Sequence, residues 1–136
     1  MEAVTENTDH LPVQCQSDVE SARRRVQALA IEVGLSEKAS HELALIVSEL
    51  GTNAIRYGGG GRISVTAIRS GTRTGLEIRA EDHGPGIPDI NLAFVDGFST
   101  GGGLGLGLGV VARLADELDV ATADSGTCFI VRKWQS

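Results

Sequence analysis

The stretch Gly101-Gly102-Gly103-Leu104-Gly105-Leu106-Gly107-Leu108-Gly109 decides how the rest of this sequence is interpreted. It leads into residues 110–118, where apolar side chains recur at helical spacing: Val111, Leu114, Ala115 and Leu118. Glycines before a helix leave backbone N–H groups unshielded, at the positive end of the helix dipole. We therefore predict a helix that starts near Leu108 and runs to about Leu118, with a polyphosphate site at its start.

The composition predicts a cytoplasmic protein that binds neither nucleic acid nor membrane. The chain has 136 residues, 41% of them hydrophobic, and a formal net charge of −6 that argues against sequence-independent nucleic-acid binding. The longest uncharged run, residues 97–112, is glycine-rich and shorter than the roughly 20 residues that a membrane span needs. Cys15 and Cys128 have no CxxC spacing and are expected to be reduced, half-buried thiols.

Periodicity predicts a single domain over residues 1–136, with 1–9 disordered. Alternation around Pro12 predicts an edge strand, and Ser17 with Glu20 forms a capping box at the first helix. A second helix runs from Ser36 to about Tyr57, with a buried stripe of Leu43, Val47, Leu50 and Ala54. Two hairpins follow, separated by a long loop at 88–100 that is typical of a lid and by the third helix, and the strands of the last hairpin are predicted at residues 118–121 and 127–131. The predicted fold is an α/β (α+β) two-layer sandwich, with a mostly antiparallel sheet and three helices on one face.

The pattern Asp82-x-Gly84-x-Gly86 is a candidate base-binding element. A carboxylate at the end of a strand can accept hydrogen bonds from an exocyclic amine, such as that of adenine, while glycines let a flat ring approach the backbone. An aspartate in an ordinary turn gives the same pattern. Thr127, after Gly126, could place its hydroxyl near a base, although a β-branched strand residue is the simpler interpretation.

Glu49 and Asn53 lie one turn apart on the second predicted helix and project from one face. The carbonyl oxygen of an asparagine suits Mg²⁺, which shares its ligand shell with phosphates and water. A carboxylate one turn away could orient or deprotonate an attacking hydroxyl. Taken alone, the pair is equally typical of a solvated helix face.

The order and spacing of these motifs resemble the Bergerat-fold ATP-binding family, which includes gyrase, histidine-kinase and MutL ATPase domains. The resemblance spans residues 17–134. It implies that Asn53 ligates Mg²⁺, that Glu49 acts as the general base or orients the attacking water, and that Asp82 binds the adenine amine with Gly84 and Gly86 beside the ring. It also implies that Thr127 supports the base, and it assigns one run to the phosphates of ATP or ADP: Gly103, Leu104, Gly105, Leu106 and Gly107.

Within that family, the sequence is similar to the anti-sigma-factor serine kinases, and among them to the stressosome serine/threonine kinases. The residues that carry this resemblance are Val47-Ser48-Glu49-Leu50, Asn53, Asp96-Gly97-Phe98-Ser99-Thr100, Gly102-Gly103-Leu104-Gly105, Arg113-Leu114, Asp116-Glu117 and Lys133-Trp134. It implies phosphorylation of a STAS-domain antagonist or scaffold, followed by activation of a PP2C-type phosphatase by the released kinase.

Three alternatives remain open from the sequence. The first is an anti-sigma factor with kinase activity that also binds a sigma factor. The second is a non-catalytic binding module gated by nucleotide. The third is the ATPase domain of a sensor kinase, although His41 is best interpreted as a polar helix-surface residue rather than as a phospho-acceptor.

Overall fold

The computed structural model describes residues 4–86 and 107–135, in which a five-stranded sheet is joined by three helices. In chain order the elements are β1 (Val4–Val13), α1 (Gln16–Glu32), α2 (Glu37–Gly58), β2 (Gly61–Ser70), β3 (Arg73–Asp82), α3 (Leu108–Leu114), β4 (Glu117–Ala123) and β5 (Gly126–Trp134). Within the described ranges, no helix combines the length and the apolar character needed to cross a membrane.

The sheet has the order β1-β2-β3-β5-β4, and every neighbouring pair is antiparallel. β3 is central, so its last residue, Asp82, lies opposite Gly61 on one side and Thr127 on the other. β1 is an edge strand, as Pro12 predicted. The predicted two-layer sandwich is confirmed.

The core lies between the sheet and the helices. The predicted stripe of α2 is buried: Leu43 and Val47 have no exposed surface, and Leu50 and Ala54 have almost none. These side chains pack with the inward positions of the central strands, including Ile63, Ile78 and Val131. By alternation the opposite face of the sheet is mixed, with buried polar residues such as Ser64, Thr66 and Glu77 and the buried apolar residues Ile68 and Trp134.

The N-terminal segment differs from the expectation of disorder over residues 1–9. β1 already begins at Val4, which pairs with Arg69, and a register shift separates Thr5 from Thr8. The Thr8 and Thr66 hydroxyls are 2.8 Å apart. The prediction is wrong for residues 4–9, because the exposed edge of β2 supplies backbone partners that local composition cannot reveal.

The first helix begins without the predicted capping box. Its N-cap is Cys15, whose side chain makes no capping bond, and the helix starts at Gln16. The Asp18 carboxylate instead accepts a hydrogen bond from the Gln14 backbone N–H at 2.9 Å. The box of Ser17 and Glu20 is therefore wrong, because the helix begins two residues earlier, where Asp18 fixes the entry of the chain.

The third helix is shorter than its periodicity predicted. α3 ends at Leu114, the next residue is extended, and Leu118 belongs to β4, where it pairs with Val131. An apolar residue four positions beyond Leu114 satisfies the helical template and the strand template equally well. Pairing with β5 decides in favour of the strand.

Candidate functional site

Asp82 is fixed by its backbone and by its side chain. Its Oδ1 accepts a hydrogen bond from the Gly84 N–H at 2.9 Å, which closes a tight turn after β3. The side chain also lies against the end of α2, since a methyl group on Gly58 would come within 2.5 Å of the Asp82 Cγ. A carboxylate has two oxygens and about four acceptor positions, so Asp82 retains acceptor capacity for a ligand amine.

Thr127 lies directly opposite Asp82 on β5 and is buried, with 5% of its surface exposed. Its hydroxyl is 2.9 Å from the hydroxyl of Thr122 on β4. By strand alternation, these three side chains project toward the helices at one end of the sheet. They line an open pocket of about 280 Å³.

The glycines after Asp82 allow this loop to approach its neighbours closely. A methyl group on Gly84 would stand 2.6 Å from the Gly58 Cα and 2.7 Å from the Tyr57 carbonyl oxygen. Gly86 has a φ of +82° and lies against Thr122 and Ala123. Both glycines thus have a packing reason for being there, and the predicted contact with a flat ring stays a prediction.

Glu49 and Asn53 are half-buried on α2, one turn apart. The Glu49 carboxylate lies directly against Gly107, the N-cap of α3. The contact is so close that any side chain at position 107 would overlap the carboxylate. Gly107 has a φ of +68°. The structure therefore places Glu49 at the start of α3, while Asp82 lies beside Gly58, nine residues or about 14 Å further along α2.

Four of the predicted phosphate-binding residues, Gly103 to Leu106, lie outside the described residues, as does the predicted lid at 88–100. Gly107 is the described member of that run. Among the described side chains, those of residues 8–86 and 107–135, no group of three or more His, Cys, Asp or Glu could hold a metal.

Sequence reasoning missed two features of this site. Thr122 bonds Thr127 across the last hairpin, and its place could have been read from the turn, because a connection at Asp124–Ser125 sets Thr122 opposite Thr127. Gly58, the last residue of α2, makes room for Asp82 because it has no side chain. That contact has no local sequence signal.

Cys128 also lines the pocket beside Asp82. Burial raises the pKa of its thiol, and the nearby Glu81 carboxylate raises the pKa further. With its pKa raised, the thiol stays protonated at neutral pH. It is therefore unreactive, because the thiolate is the reactive form. The pocket therefore offers a ligand hydrogen-bonding groups, among them the Asp82 carboxylate, the His83 imidazole and the hydroxyls of Thr122, Ser125 and Thr127, rather than a reactive thiolate.

Comparison with known proteins identifies relatives over most of the chain. The histidine kinase-like ATPase domain family matches residues 11–133. The serine/threonine-protein kinase RsbT of Bacillus subtilis is 41% identical over 118 residues, which cover 86% of this chain and 89% of that protein. The sensor-type histidine kinase PrrB of Mycobacterium leprae is 38% identical over 91 residues, which cover 62% of this chain and 20% of PrrB.

Two solved structures share the fold at low sequence identity. The RsbU and RsbW domains of a Mycobacterium tuberculosis protein align with a TM-score of 0.62 and 16% identity, covering 93% of this chain and 32% of theirs. The histidine kinase domain of a blue-light activated kinase from Erythrobacter litoralis gives a TM-score of 0.51 and 20% identity, covering 95% and 68%. At these low sequence identities the structural similarity shows a shared fold and nothing more.

Proposed function

The chain belongs to the histidine kinase-like ATPase domain family, and we propose that it is a cytoplasmic protein serine/threonine kinase of the RsbT type. It transfers the γ-phosphoryl group of ATP to a Ser or Thr of a STAS-domain antagonist or scaffold. The observation that carries this proposal is the 41% identity to a serine/threonine-protein kinase over nearly the full length of both chains.

The end of the site at Asp82 suits an adenine base. Asp82 is held from both sides, and its remaining acceptor positions match an exocyclic amine. The hydroxyls of Thr122 and Thr127 lie beside it and can donate to ring nitrogens or to a bridging water. In this proposal Asp82 selects the base, while Gly84 and Gly86 let the ring lie against the backbone.

The end of the site at Glu49 suits the triphosphate and its metal. Asn53 offers the hard oxygen ligand that Mg²⁺ accepts beside phosphate oxygens, and bound Mg²⁺ would neutralise charge on the transferring group. Glu49 orients the acceptor hydroxyl and takes its proton. Gly107 and residues 103–106 present backbone N–H groups to the phosphates in this proposal.

Phosphorylation also explains how the kinase could switch partners. A phosphoserine or phosphothreonine brings a charge of about −2 into the interface with the acceptor protein and disfavours the complex. The released kinase then binds and activates a PP2C-type phosphatase. This step rests on the family resemblance.

Incubation with radiolabelled Mg-ATP and a STAS-domain protein encoded beside this gene tests the proposal. We expect label on a Ser or Thr of that protein with the wild type, and none with Asn53→Ala or Glu49→Gln. Glu37→Gln, an exposed carboxylate in the first turn of α2, is the matched control and should label normally. Absence of label with well-folded wild-type protein would refute the kinase assignment.

The match to PrrB favours one second candidate, the nucleotide-binding part of a histidine kinase. In that case label would appear on a histidine. Phosphohistidine is lost in acid whereas phosphoserine and phosphothreonine survive it, so acid treatment of the labelled product separates the two activities.

A further inference from the structure

Lys133 makes a buried connection between three elements at the end of the core away from Asp82. Its ammonium group on β5 donates a hydrogen bond to the Leu114 carbonyl at 2.6 Å and lies 3.0 Å from the Glu42 carboxylate on α2. The side chains of Lys133 and Glu42 are 11% and 22% exposed. Leu114 is the last residue of α3, where backbone carbonyls lack helical partners and a cation is favourable.

The contacts of Lys133 and the contact between Glu49 and Gly107 are separated by the same number of residues on α2 and on α3. Glu42 precedes Glu49 by seven residues, two helical turns, so both side chains lie on the same face of α2. Gly107 precedes Leu114 by seven residues as well, and Gly107 lies against Glu49. α3 therefore runs antiparallel to α2 for about 10 Å, touching Glu49 at its start and joined to Glu42 through Lys133 at its end.

We propose that Lys133 is a positioning residue that sets where α3 stands along α2, and thereby where Gly107 stands relative to Glu49. This inference rests on the proposed function of that site. Lys133 does not touch the nucleotide in this proposal, since it acts from the far end of α3.

Two hydrogen bonds just after the end of α3 run to β5. The Asp116 N–H donates to the Arg132 carbonyl at 3.0 Å, and the Asp116 carboxylate accepts from the Trp134 N–H at 2.7 Å. These bonds hold the connection after α3 to β5. Lys133 adds the link from that connection to α2, which carries Glu49, and its loss should therefore affect phosphate binding more than folding.

Binding of ATP and of adenosine by three purified proteins tests the proposal: wild type, Lys133→Met and Lys38→Met. These are the two lysines of the chain, and Lys38 is exposed and lines the same pocket as Lys133. We expect Lys133→Met to weaken ATP binding about tenfold, the effect of losing a hydrogen bond to a charged group, with adenosine affinity within about twofold of wild type. Lys38→Met should match the wild type for both ligands.

Equal weakening of ATP and adenosine binding by Lys133→Met, or no weakening of either, would overturn the proposal. If Lys133→Met fails to fold, Glu42→Gln carries the test, because it keeps the bond from Lys133 to Leu114. A loss of about threefold for ATP alone supports the positioning role, and equal affinities for wild type and variant refute it.

Amide hydrogen exchange without nucleotide separates this inference from the proposed function. If the wild type binds no ATP, the kinase assignment fails, and exchange at Val110, Val111 and Ala115 still decides the role of Lys133. Their amides donate to Gly107 and Val111 carbonyls within α3. Faster exchange in Lys133→Met than in Lys38→Met supports the link, and identical exchange contradicts it.

Discussion

At the scale of single residues, Asp82 shows how a motif residue acquires a defined position. The sequence predicts a carboxylate at a strand end followed by glycines, and the structure adds the contacts that hold it: the Gly84 N–H, the Gly58 backbone and the opposing Thr127. Local pattern predicted the residue. It could not predict Gly58, which lies 24 positions earlier and meets Asp82 only after the sheet has formed.

We expect Asp82→Asn to weaken ATP binding by about 10- to 100-fold. The amide is nearly isosteric and can still accept from Gly84, but in the proposed complex it would lose the charge-assisted bond to the base amine and present donors toward that amine. Calorimetric titration measures the change. Asp119→Asn, at an exposed position on β4, is the control and should bind normally. Wild-type affinity in Asp82→Asn would show that the base lies elsewhere.

Gly107 and Gly59 form a matched pair of left-handed glycines. Their φ values are +68° and +72°, so alanine should cost about 1–2 kcal/mol of unfolding free energy at either position, measured by urea denaturation. Space differs between them, because a methyl group at Gly59 meets nothing within 4 Å whereas one at Gly107 displaces the Glu49 carboxylate. Phosphoryl transfer should therefore be lost in Gly107→Ala and kept in Gly59→Ala. Similar transfer rates in both variants would contradict the role of Glu49.

At the scale of elements, α2 is the part of the structure on which the site depends. One face fills the core, while the other carries Glu42, Glu49 and Asn53. Its bounds were predictable, since Ser36 caps its start and a left-handed Gly59 ends it. The start of α1 and the end of α3 were not, because Asp18 and the pairing of Leu118 with Val131 outweighed the local signals.

Two serines test the assignment of helix starts. The Ser36 hydroxyl accepts from the Ala39 N–H at 3.0 Å, so Ser36→Ala should lower the unfolding free energy by about 1 kcal/mol. Ser17, the predicted cap of α1, does not cap it, and Ser17→Ala should change stability by less than about 0.5 kcal/mol. Chemical denaturation of both variants provides the comparison. Equal losses would mean that the start of α1 is wrongly assigned.

At the scale of the whole molecule, the sheet order determines which residues can meet. Because β5 lies between β3 and β4, Thr127 has Asp82 on one side and Thr122 on the other. Hydrophobic alternation predicted the strands and the two-layer class. It contains no information on which strand is central, since every inward face is apolar, and the neighbours of Asp82 could therefore be derived only from the family resemblance.

Amide exchange should follow this order of strands. The hydrogen-bonded amides of β2, β3 and β5, each flanked by two strands, open only with most of the sheet, whereas β1 and β4 are edges that can fray separately. We expect exchange to be slowest in β2, β3 and β5 and at least tenfold faster in β1 and β4 at neutral pH. Uniform protection across all strands would indicate that the sheet opens as one unit.

The position of β5 also has a consequence for biosynthesis. As the chain leaves the ribosome, β3 has β2 on one side but bare N–H and C=O groups on the other, until residues 126–134 emerge. An open strand edge of this kind recruits foreign strands. The nascent polypeptide therefore passes through an aggregation-prone stage. At that stage Asp82 already ends β3, but Thr127 does not yet lie beside it. Pairing of β5 with β3 thus completes the pocket around Asp82 and covers the open edge of β3 in the same step of synthesis.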